Sequence, residues 1–236
     1  MARYDIERHW FKSPRGRSAL VYLREGTNDF NTANSCLDED EYRTRDLHLT
    51  GLAVDVGGYL GTVALALLVD NPGLRVIVVE PIPENLDMIR RNLTVNGVID
   101  RATVIAGAVG AAGEPVTISY AFQGEENELH HAFVGNAATV GHEVEHREVT
   151  YPALGLADIV PEGPVPWLKI DCEGGEWGFL ADPGIARIDR IVGEFHPIPQ
   201  RDGSTGSRER LEQLLGATHD VTYPDAESWG FTAMRR

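Results

Sequence analysis

The sequence predicts one α/β domain built around a mostly parallel β-sheet. Two observations carry this prediction. From residue 52 onwards, short apolar runs alternate with stretches of helical character, a pattern that is typical of βαβ units. The chain has 236 residues, of which 42% are hydrophobic, so it can bury one sizeable core.

The first repeat of this pattern is the clearest. Residues 52–56 form an apolar run that stops at Gly57 and Gly58, and residues 62–69 are rich in Ala and Leu. This predicts a strand, a tight turn and a helix. The remaining predicted elements are, in order, a strand at 75–79, a helix at 83–96, strands at 102–105, 116–122, 145–150 and 167–170, a helical turn or two at 176–180, a strand at 188–194, a helix at 207–215 and a terminal strand pair at 220–223 and 230–234.

The organisation along the chain predicts a single structural domain with two additions. Residues 1–50 follow no clear period, and we interpret them as an irregular N-terminal cap on a main domain that spans residues 51–236. The segment at about 113–151 breaks the alternation of strands and helices. We therefore expect it to be an insertion over the edge of the sheet.

Composition excludes several classes of function. Lys and Arg total 21 against 36 Asp and Glu, which gives a net charge of −15. Because so acidic a surface repels phosphate backbones and anionic lipids, we expect neither nucleic acid nor a membrane as a partner. The two cysteines fit no disulfide framework or zinc site, and no apolar run resembles a signal or a membrane span. This predicts a cytoplasmic protein and leaves open whether identical chains associate.

The first strand-to-helix turn has the features of a ligand site. Ligands of open parallel sheets bind beyond the carboxyl ends of the strands, and the sequence there reads Val-Asp-Val-Gly-Gly-Tyr-Leu-Gly over residues 54–61. Gly57 and Gly58 allow a sharp turn, and Gly61 permits close packing of the helix. The spacing differs from the dinucleotide fingerprint and no Lys-Ser or Lys-Thr pair follows, which disfavours a phosphate-binding loop.

Two carboxylates indicate what the ligand is. Asp55 lies beside the turn, where it would repel a phosphate and attract a cationic group. Glu80 ends the next strand, where an acidic residue can accept hydrogen bonds from both ribose hydroxyls. Together they suit a nucleoside with a positive charge and no phosphate, and S-adenosylmethionine has those features. The alternative interpretation is that the glycines only close a turn and that Asp55 caps the helix.

The sequence resembles the FkbM-like family of class I methyltransferases. The motifs that carry the resemblance are the turn at 54–61, Val-Glu-Pro with Glu-Asn at 79–85, Gly-Ala-Val-Gly at 107–110 and Leu-Lys-Ile-Asp-Cys-Glu-Gly-Gly-Glu at 168–176. The resemblance implies a Rossmann-like, mostly parallel seven-stranded sheet whose last strand is antiparallel. It also implies methyl transfer from S-adenosylmethionine to the oxygen of a small-molecule hydroxyl, as in natural-product or sugar modification.

The resemblance further implies the roles of particular residues. Asp55 and its glycines would hold the methionine end of the cofactor, Glu80 would bind the ribose, and Ala108 would lie by the adenine. Gly58 departs from the family, which usually carries Ala there, and this should loosen the turn. The predicted cofactor-binding residues are Glu25, Thr27, Asp55, Gly57, Gly58, Tyr59, Gly61, Glu80, Pro81, Asn85, Ala108, Val109 and Asp171.

The catalytic candidates lie at the ends of two later strands. Asp171 and Glu173 follow one predicted strand, and Glu194 and His196 end the next, so they converge on one rim if those strands are neighbours. Methyl transfer to a hydroxyl requires an aligned acceptor and removal of a proton. We favour His196 as the general base because an ordinary histidine pKa lies near 6.5. The alternative, which we favour less, is a divalent metal such as magnesium held by Asp171, Glu194 and His196.

Other interpretations stay open at this point. We interpret the loop inside the insertion as a solvated lid, although one of its histidines could instead be the base that arrives when the lid closes. Its candidate side chains are Glu126, Glu128, His130, His131, His142, Glu143 and His146. The alternative functions are a non-catalytic cofactor-binding module and, less favoured, an NAD-dependent oxidoreductase.

Overall fold

A computed structural model of the chain describes residues 5–121, 133–134, 146–160, 162–198, 205–225 and 227–236. Its strands are β1 (Ile6–Lys12), β2 (Ser18–Arg24), β3 (Gly51–Val56), β4 (Leu74–Glu80), β5 (Ala102–Ala106), β6 (Pro115–Ala121), β7 (Phe133–Val134), β8 (His146–Pro152), β9 (Trp167–Ile170), β10 (Arg190–Glu194), β11 (His219–Thr222) and β12 (Gly230–Arg235). Its α-helices are α1 (Asp29–Leu37), α2 (Thr62–Asp70), α3 (Pro83–Val95), α4 (Leu156–Ile159), α5 (Glu176–Phe179) and α6 (Arg208–Leu215).

The centre of the molecule is a seven-stranded sheet in the order β11-β12-β10-β9-β3-β4-β5. The pairs within β10-β9-β3-β4-β5 are parallel, whereas β12 runs antiparallel to both β10 and β11. The predicted fold class is therefore confirmed, including the antiparallel last strand. None of the helices in the described part of the chain is long and apolar enough to span a membrane.

Both faces of the sheet are buried, which explains why its central strands are apolar at nearly every position. Val78 and Val79 are successive residues of β4 and point to opposite faces, where they belong to two different apolar cores. Helices α2 and α3 cover one face, and α4, α5 and α6 cover the other. This three-layer arrangement puts the ends of the parallel strands, rather than their faces, in reach of a ligand.

The N-terminal cap is regular, so the prediction of an irregular segment was wrong. Strands β1 and β2 form an antiparallel hairpin, and α1 follows it. The outer edge of β2 is completed by side-chain amides of α3. Tyr22 N donates to Asn92 Oδ1 (2.8 Å) and Leu20 N donates to Asn96 Oδ1 (3.0 Å), and both amides donate back to the same two residues' carbonyls. Partners some seventy residues away leave no local period to detect.

The insertion forms a second, three-stranded antiparallel sheet in the order β7-β6-β8. This sheet is attached at the carboxyl end of β4 and the start of α3. The Tyr151 hydroxyl donates to the Pro81 carbonyl (2.9 Å), and Arg147 Nη1 donates to Glu84 Oε1 (3.0 Å). The insertion therefore borders the edge of the main sheet at which the parallel strands end.

We expect Asn92→Ala to lower the free energy of unfolding by about 2 to 4 kcal/mol, measured by urea denaturation. The side chain is fully buried, and its loss leaves the Tyr22 amide and the Leu60 carbonyl without their partner. The control is Asn31→Ala on the exposed side of α1, where the amide bonds only Asn28 among the described residues, and the loss of unfolding free energy should stay within about 0.5 kcal/mol. Equal effects of the two substitutions would contradict the role of Asn92.

Candidate active site

Three neighbouring parallel strands bring carboxylates to one edge of the sheet. Asp55 lies one residue before the end of β3, Glu80 ends β4, and Asp171 directly follows β9. Because β3 pairs with both β4 and β9, these side chains lie around the turn that joins β3 to α2. The edge predicted from the sequence is therefore the one that the structure assembles.

The glycines of this turn have different functions. Gly57 has a φ of 78°, and a Cβ there would overlap the Asp171 carbonyl, so the turn presses against the end of β9. Gly61, with a φ of 77°, precedes α2 and packs against Ile89. A Cβ on Gly58 would overlap Val78. The expected loosening at Gly58 is thus not what the structure shows, because Val78 fills the space that an alanine methyl would need.

Asp55 is a buried carboxylate with few partners. Its side chain is fully buried, and neither oxygen has a hydrogen-bond partner among the described residues. The nearest cation, Lys169 Nζ, lies 3.7 Å from Asp55 Oδ1. Burial raises the pKa of Asp55 to about 6, although Lys169 opposes the shift. A cationic ligand group beside the turn would supply the charge that this carboxylate lacks.

Lys169 fixes the turn between β3 and α2 through hydrogen bonds to its backbone. Its Nζ donates to the Gly57 carbonyl (2.7 Å) and the Val56 carbonyl (3.2 Å), and lies 3.7 Å from Asp171 Oδ2. Burial alone would lower the pKa of Lys169, but the charges of Asp171 and Asp55 raise it overall. Sequence reasoning missed this residue, although a lysine inside a four-residue buried strand is itself a signal.

Glu80 is held by three protein donors. Its Oε2 accepts from the Tyr59 amide (2.9 Å), and its Oε1 accepts from the Ile82 amide (2.9 Å) and from Asn85 Nδ2 (3.1 Å). Burial raises the pKa of Glu80, and these donors oppose the shift. A carboxylate has about four acceptor positions, so Oε2 keeps one for a ligand hydroxyl.

The other predicted cofactor-binding residues are distributed around this edge. Pro81 follows β4, and Ala108 and Val109 are buried after β5, where the Leu154 amide donates to the Ala108 carbonyl (2.8 Å). In the N-terminal cap, Glu25 is exposed and the Thr27 hydroxyl donates to the Arg24 carbonyl (2.8 Å) at the start of α1. The structure therefore places Tyr59 and Asn85 in direct contact with Glu80, whereas the Thr27 hydroxyl makes a hydrogen bond inside the cap.

A second group of side chains surrounds His196 beyond the end of β10. Glu176, which is fully buried, accepts from the His196 amide (2.6 Å) and lies 3.1 Å from His196 Nδ1. His196 Nε2 lies 3.3 Å from Glu173 Oε2 and 3.9 Å from Asp171 Oδ1. The structure thus brings together Asp171, Glu173 and His196, three of the four residues predicted to converge, and Glu176, which sequence reasoning missed, fixes the ring.

These carboxylates change the chemistry of His196. Burial lowers its pKa, but the hydrogen bond and charge of Glu176, together with Glu173 and Asp171, outweigh burial and raise the pKa to about 9. At neutral pH the ring is therefore an imidazolium. The prediction of a general base rested on an ordinary pKa near 6.5, and the structure removes that reason.

The arrangement also changes the candidate metal ligands. Ligand atoms of Asp171, Glu173 and His196 lie within 4.8 Å of one another, so in the described chain Glu173 takes the place predicted for Glu194. These donors are chemically suited to a divalent cation. Glu194 ends β10 nearby, half-buried, and burial and then the charge of Asp171 raise its pKa.

Tyr42 connects the N-terminal cap to both groups. Its hydroxyl donates to Asp171 Oδ2 (3.2 Å), and its ring lies 5.6 Å from Lys169 Nζ. Burial raises the pKa of Tyr42, so it remains a neutral donor. The predicted candidates in the insertion loop, Glu126, Glu128, His130, His131, His142, Glu143 and the side chain of His146, lie outside the described residues.

Comparison with known proteins gives a family and several structural neighbours. The family model described as methyltransferase FkbM domain matches residues 55–228. M. capricolum TrmK in complex with S-adenosyl-homocysteine has a TM-score of 0.48 at 9% identity, over 84% of this chain and 68% of that chain. P. horikoshii TYW2 in complex with MeSAdo has a TM-score of 0.49 at 13% identity, over 99% and 71%. Precorrin-6y C5,15-methyltransferase from Geobacter metallireducens GS-15 has a TM-score of 0.46 at 16% identity, over 84% and 86%. No curated protein matches the sequence.

We expect Asp55→Asn to raise the free energy of unfolding at pH 7.5 by about 1 to 3 kcal/mol. Folding raises the pKa of the Asp55 carboxyl from 3.8 to about 6, so ionisation of this group destabilises the folded protein as the pH rises through that interval. The asparagine amide does not ionise, so the variant avoids this loss. Urea denaturation at pH 4.5 and 7.5 measures the difference, which should shrink at the lower pH. The control is Asp70→Asn, which should destabilise because Asp70 accepts hydrogen bonds from Ser13 and Arg15. Destabilisation by Asp55→Asn at both pH values would contradict the prediction.

Proposed function

The chain belongs to the FkbM family of methyltransferases, and from that premise we propose that it transfers a methyl group from S-adenosylmethionine to a small-molecule hydroxyl. One observation supports the donor most strongly. Asp171, Asp55 and Glu80 meet at the ends of three adjacent strands, around a turn that excludes a Cβ at Gly57. This edge offers negative charge and carboxylate oxygens that can accept hydrogen bonds from ribose hydroxyls. Such an environment fits a cationic nucleoside better than a pyrophosphate.

The residues of the edge have separate roles toward the donor. Asp55 and the turn at Gly57 and Gly61 would face its methionine end, where Asp55 compensates positive charge. Glu80 would accept a ribose hydroxyl with its remaining Oε2 position, and Ala108 would lie by the adenine. When bound, the donor supplies an electrophilic methyl group. The protein's task is then to align an acceptor oxygen with that methyl group and to remove the acceptor's proton.

We assign proton removal to a carboxylate of the His196 group rather than to His196. The imidazolium has no free position for a further proton, whereas Glu194 stands half-buried at the end of the same strand. Burial raises the pKa of Glu194, which makes it a stronger base than an exposed carboxylate. His196, held by Glu176, would keep Glu173 and Asp171 in place and balance their charge.

A metal-free route fits this charge balance. His196 Nε2 lies 3.3 Å from Glu173 Oε2 and 3.9 Å from Asp171 Oδ1, so the imidazolium itself balances the charge of these two carboxylates. The acceptor would be a hydroxyl of a natural product or a sugar. The net charge of −15 makes a nucleic acid an unfavourable acceptor.

The donor assignment is tested by isothermal titration with S-adenosylhomocysteine and with NADH. We expect low-micromolar binding of S-adenosylhomocysteine alone, at least tenfold weaker in Asp55→Ala and Glu80→Ala because each loses about 1.4 kcal/mol or more of interaction. Addition of EDTA or magnesium should leave the affinity unchanged. Preferential binding of NADH would overturn the proposal and favour an oxidoreductase.

O-methylation itself is tested by incubating hydroxylated acceptors with trideuteromethyl-labelled donor, and a product labelled on nitrogen or carbon would contradict it.

The charge state of His196 predicts how stability depends on pH. Because folding raises its pKa to about 9, the stability that the imidazolium contributes is complete below about pH 6.5 and is lost as the pH rises through 9. We therefore expect the difference in unfolding free energy between wild type and His196→Gln to be largest at pH 6 and to shrink by pH 9.5, in urea denaturation. A difference that grows with pH would indicate a neutral ring and restore His196 as a base.

A further inference from the structure

The N-terminal cap, residues 5–50, contains a buried ion pair that the proposed function does not use. Arg24 is 7% exposed and Asp29 is fully buried. Arg24 Nε and Nη2 donate to the two oxygens of Asp29, each at 2.9 Å, in a bidentate contact. We propose that this pair positions Glu80 for the ribose of the donor, so that the cap is part of the cofactor site. The inference rests on the proposed function and extends it to two positioning residues.

Five residues form a closed ring of hydrogen bonds that carries this inference. From the ion pair, Arg24 Nη1 donates to Asn85 Oδ1 (2.8 Å), and Asn85 Nδ2 donates to Glu80 Oε1 (3.1 Å). On the other side, the Tyr59 amide donates to Glu80 Oε2 (2.9 Å), and the Tyr59 hydroxyl donates to Asp29 Oδ1 (2.6 Å). Both oxygens of Glu80 are thus connected to the same ion pair.

Arg24 fixes which way the Asn85 amide faces. Its guanidinium can only donate, so Asn85 must turn Oδ1 toward Arg24 and Nδ2 toward Glu80. The Glu80 carboxylate can only accept, so this one orientation of the amide satisfies both neighbours. If Arg24 moved away, Asn85 would lose its contact on the Oδ1 side, and Glu80 would be held by an amide that is itself less firmly fixed.

Tyr59 makes the second connection with a strained backbone. Its φ of 47° lies in the left-handed region, which is uncommon for a residue with a side chain. In this conformation its amide faces Glu80 while its hydroxyl reaches Asp29. The Asp29 contact therefore helps to hold the turn in the conformation that presents the amide to Glu80.

The charge state of the pair supports a fixed arrangement. Burial would raise the pKa of Asp29, but hydrogen bonds and charge from Arg24, with the Tyr59 bond, lower it overall. Asp29 is therefore ionised at neutral pH, and its hydrogen bonds are charge-assisted. Loss of one charge would leave the other buried without compensation, and the whole ring would rearrange.

The test measures whether the pair acts through the ribose. Wild type, Asp29→Asn and Tyr59→Phe are titrated with S-adenosylhomocysteine and with its 2′-deoxy and 3′-deoxy analogues. We expect Asp29→Asn to weaken S-adenosylhomocysteine binding about tenfold. In wild type, the deoxy analogue that lacks the hydroxyl bound by Glu80 should bind about tenfold more weakly than S-adenosylhomocysteine. In Asp29→Asn the same analogue should bind less than about threefold more weakly, because the contact with Glu80 is already lost.

Two further variants separate positioning from general loosening of the cap. Asp70→Asn leaves one oxygen where Asp70 accepts from both Ser13 and Arg15, so it disrupts one of these two hydrogen bonds at the opposite end of the same hairpin. The affinity of this variant for S-adenosylhomocysteine should stay within about twofold of wild type. Tyr59→Phe keeps the ion pair and removes one hydroxyl, so it tests the ring of hydrogen bonds even if Asp29→Asn fails to fold. We expect Tyr59→Phe to bind S-adenosylhomocysteine about threefold more weakly than wild type.

The outcomes distinguish the inference from the function on which it rests. A wild type that does not bind S-adenosylhomocysteine would overturn the proposed function together with the inference. Wild-type binding with an unchanged affinity in Asp29→Asn and Tyr59→Phe would overturn the inference alone. The inference would also be overturned if the deoxy analogue lost as much affinity in Asp29→Asn as in wild type. The same holds if Asp70→Asn lost as much affinity for S-adenosylhomocysteine as Asp29→Asn.

Discussion

The candidate active site depends on one buried cation, the ammonium group of Lys169. It lies between Asp55 and Asp171, 3.7 Å from an oxygen of each, and donates to two carbonyls of the turn that follows β3. Without this cation the two carboxylates would repel each other, and Asp55, which is fully buried, would have lost its solvation without compensation. The position of the turn and the contact of the Tyr42 ring with the lysine therefore share one electrostatic cause.

This arrangement is suited to binding rather than to stability. Asp55 shares Lys169 with Asp171, and burial outweighs this compensation and keeps the pKa of Asp55 at about 6. Removing two charges from water costs more than an imperfect contact returns. Natural proteins retain such unfavourable charges where a ligand completes them. The uncompensated negative charge of Asp55 and the carboxylates around His196 thus support, independently of any motif, the proposal that ligands bind at this edge of the sheet.

The sequence was sufficient for features that depend on neighbours along the chain. Residues 167–170 read as a buried strand because all four side chains are buried between the layers, and Asp55 and Glu80 could be placed because a carboxylate at the end of an apolar run is a local signal. The regular structure of the N-terminal cap could not be predicted, because its hairpin is completed by the amides of α3. The charge of His196 was missed for the same reason, since Glu176 reaches it only through the fold.

The two sides of the site are built by different parts of the chain, and this separates their functions. Glu80, which we propose to bind the ribose, is held by Asn85 of α3 and by the turn after β3, and both are connected to the Arg24–Asp29 pair of the cap. The His196 group is held by the ends of β9 and β10 and by Glu176 of α5. Asp171 is common to both, because it meets Lys169 on one side and His196 on the other. A change in the Arg24–Asp29 pair should therefore act on donor affinity, and a change at Glu176 on proton removal, while a change at Asp171 or at Lys169 should alter both together.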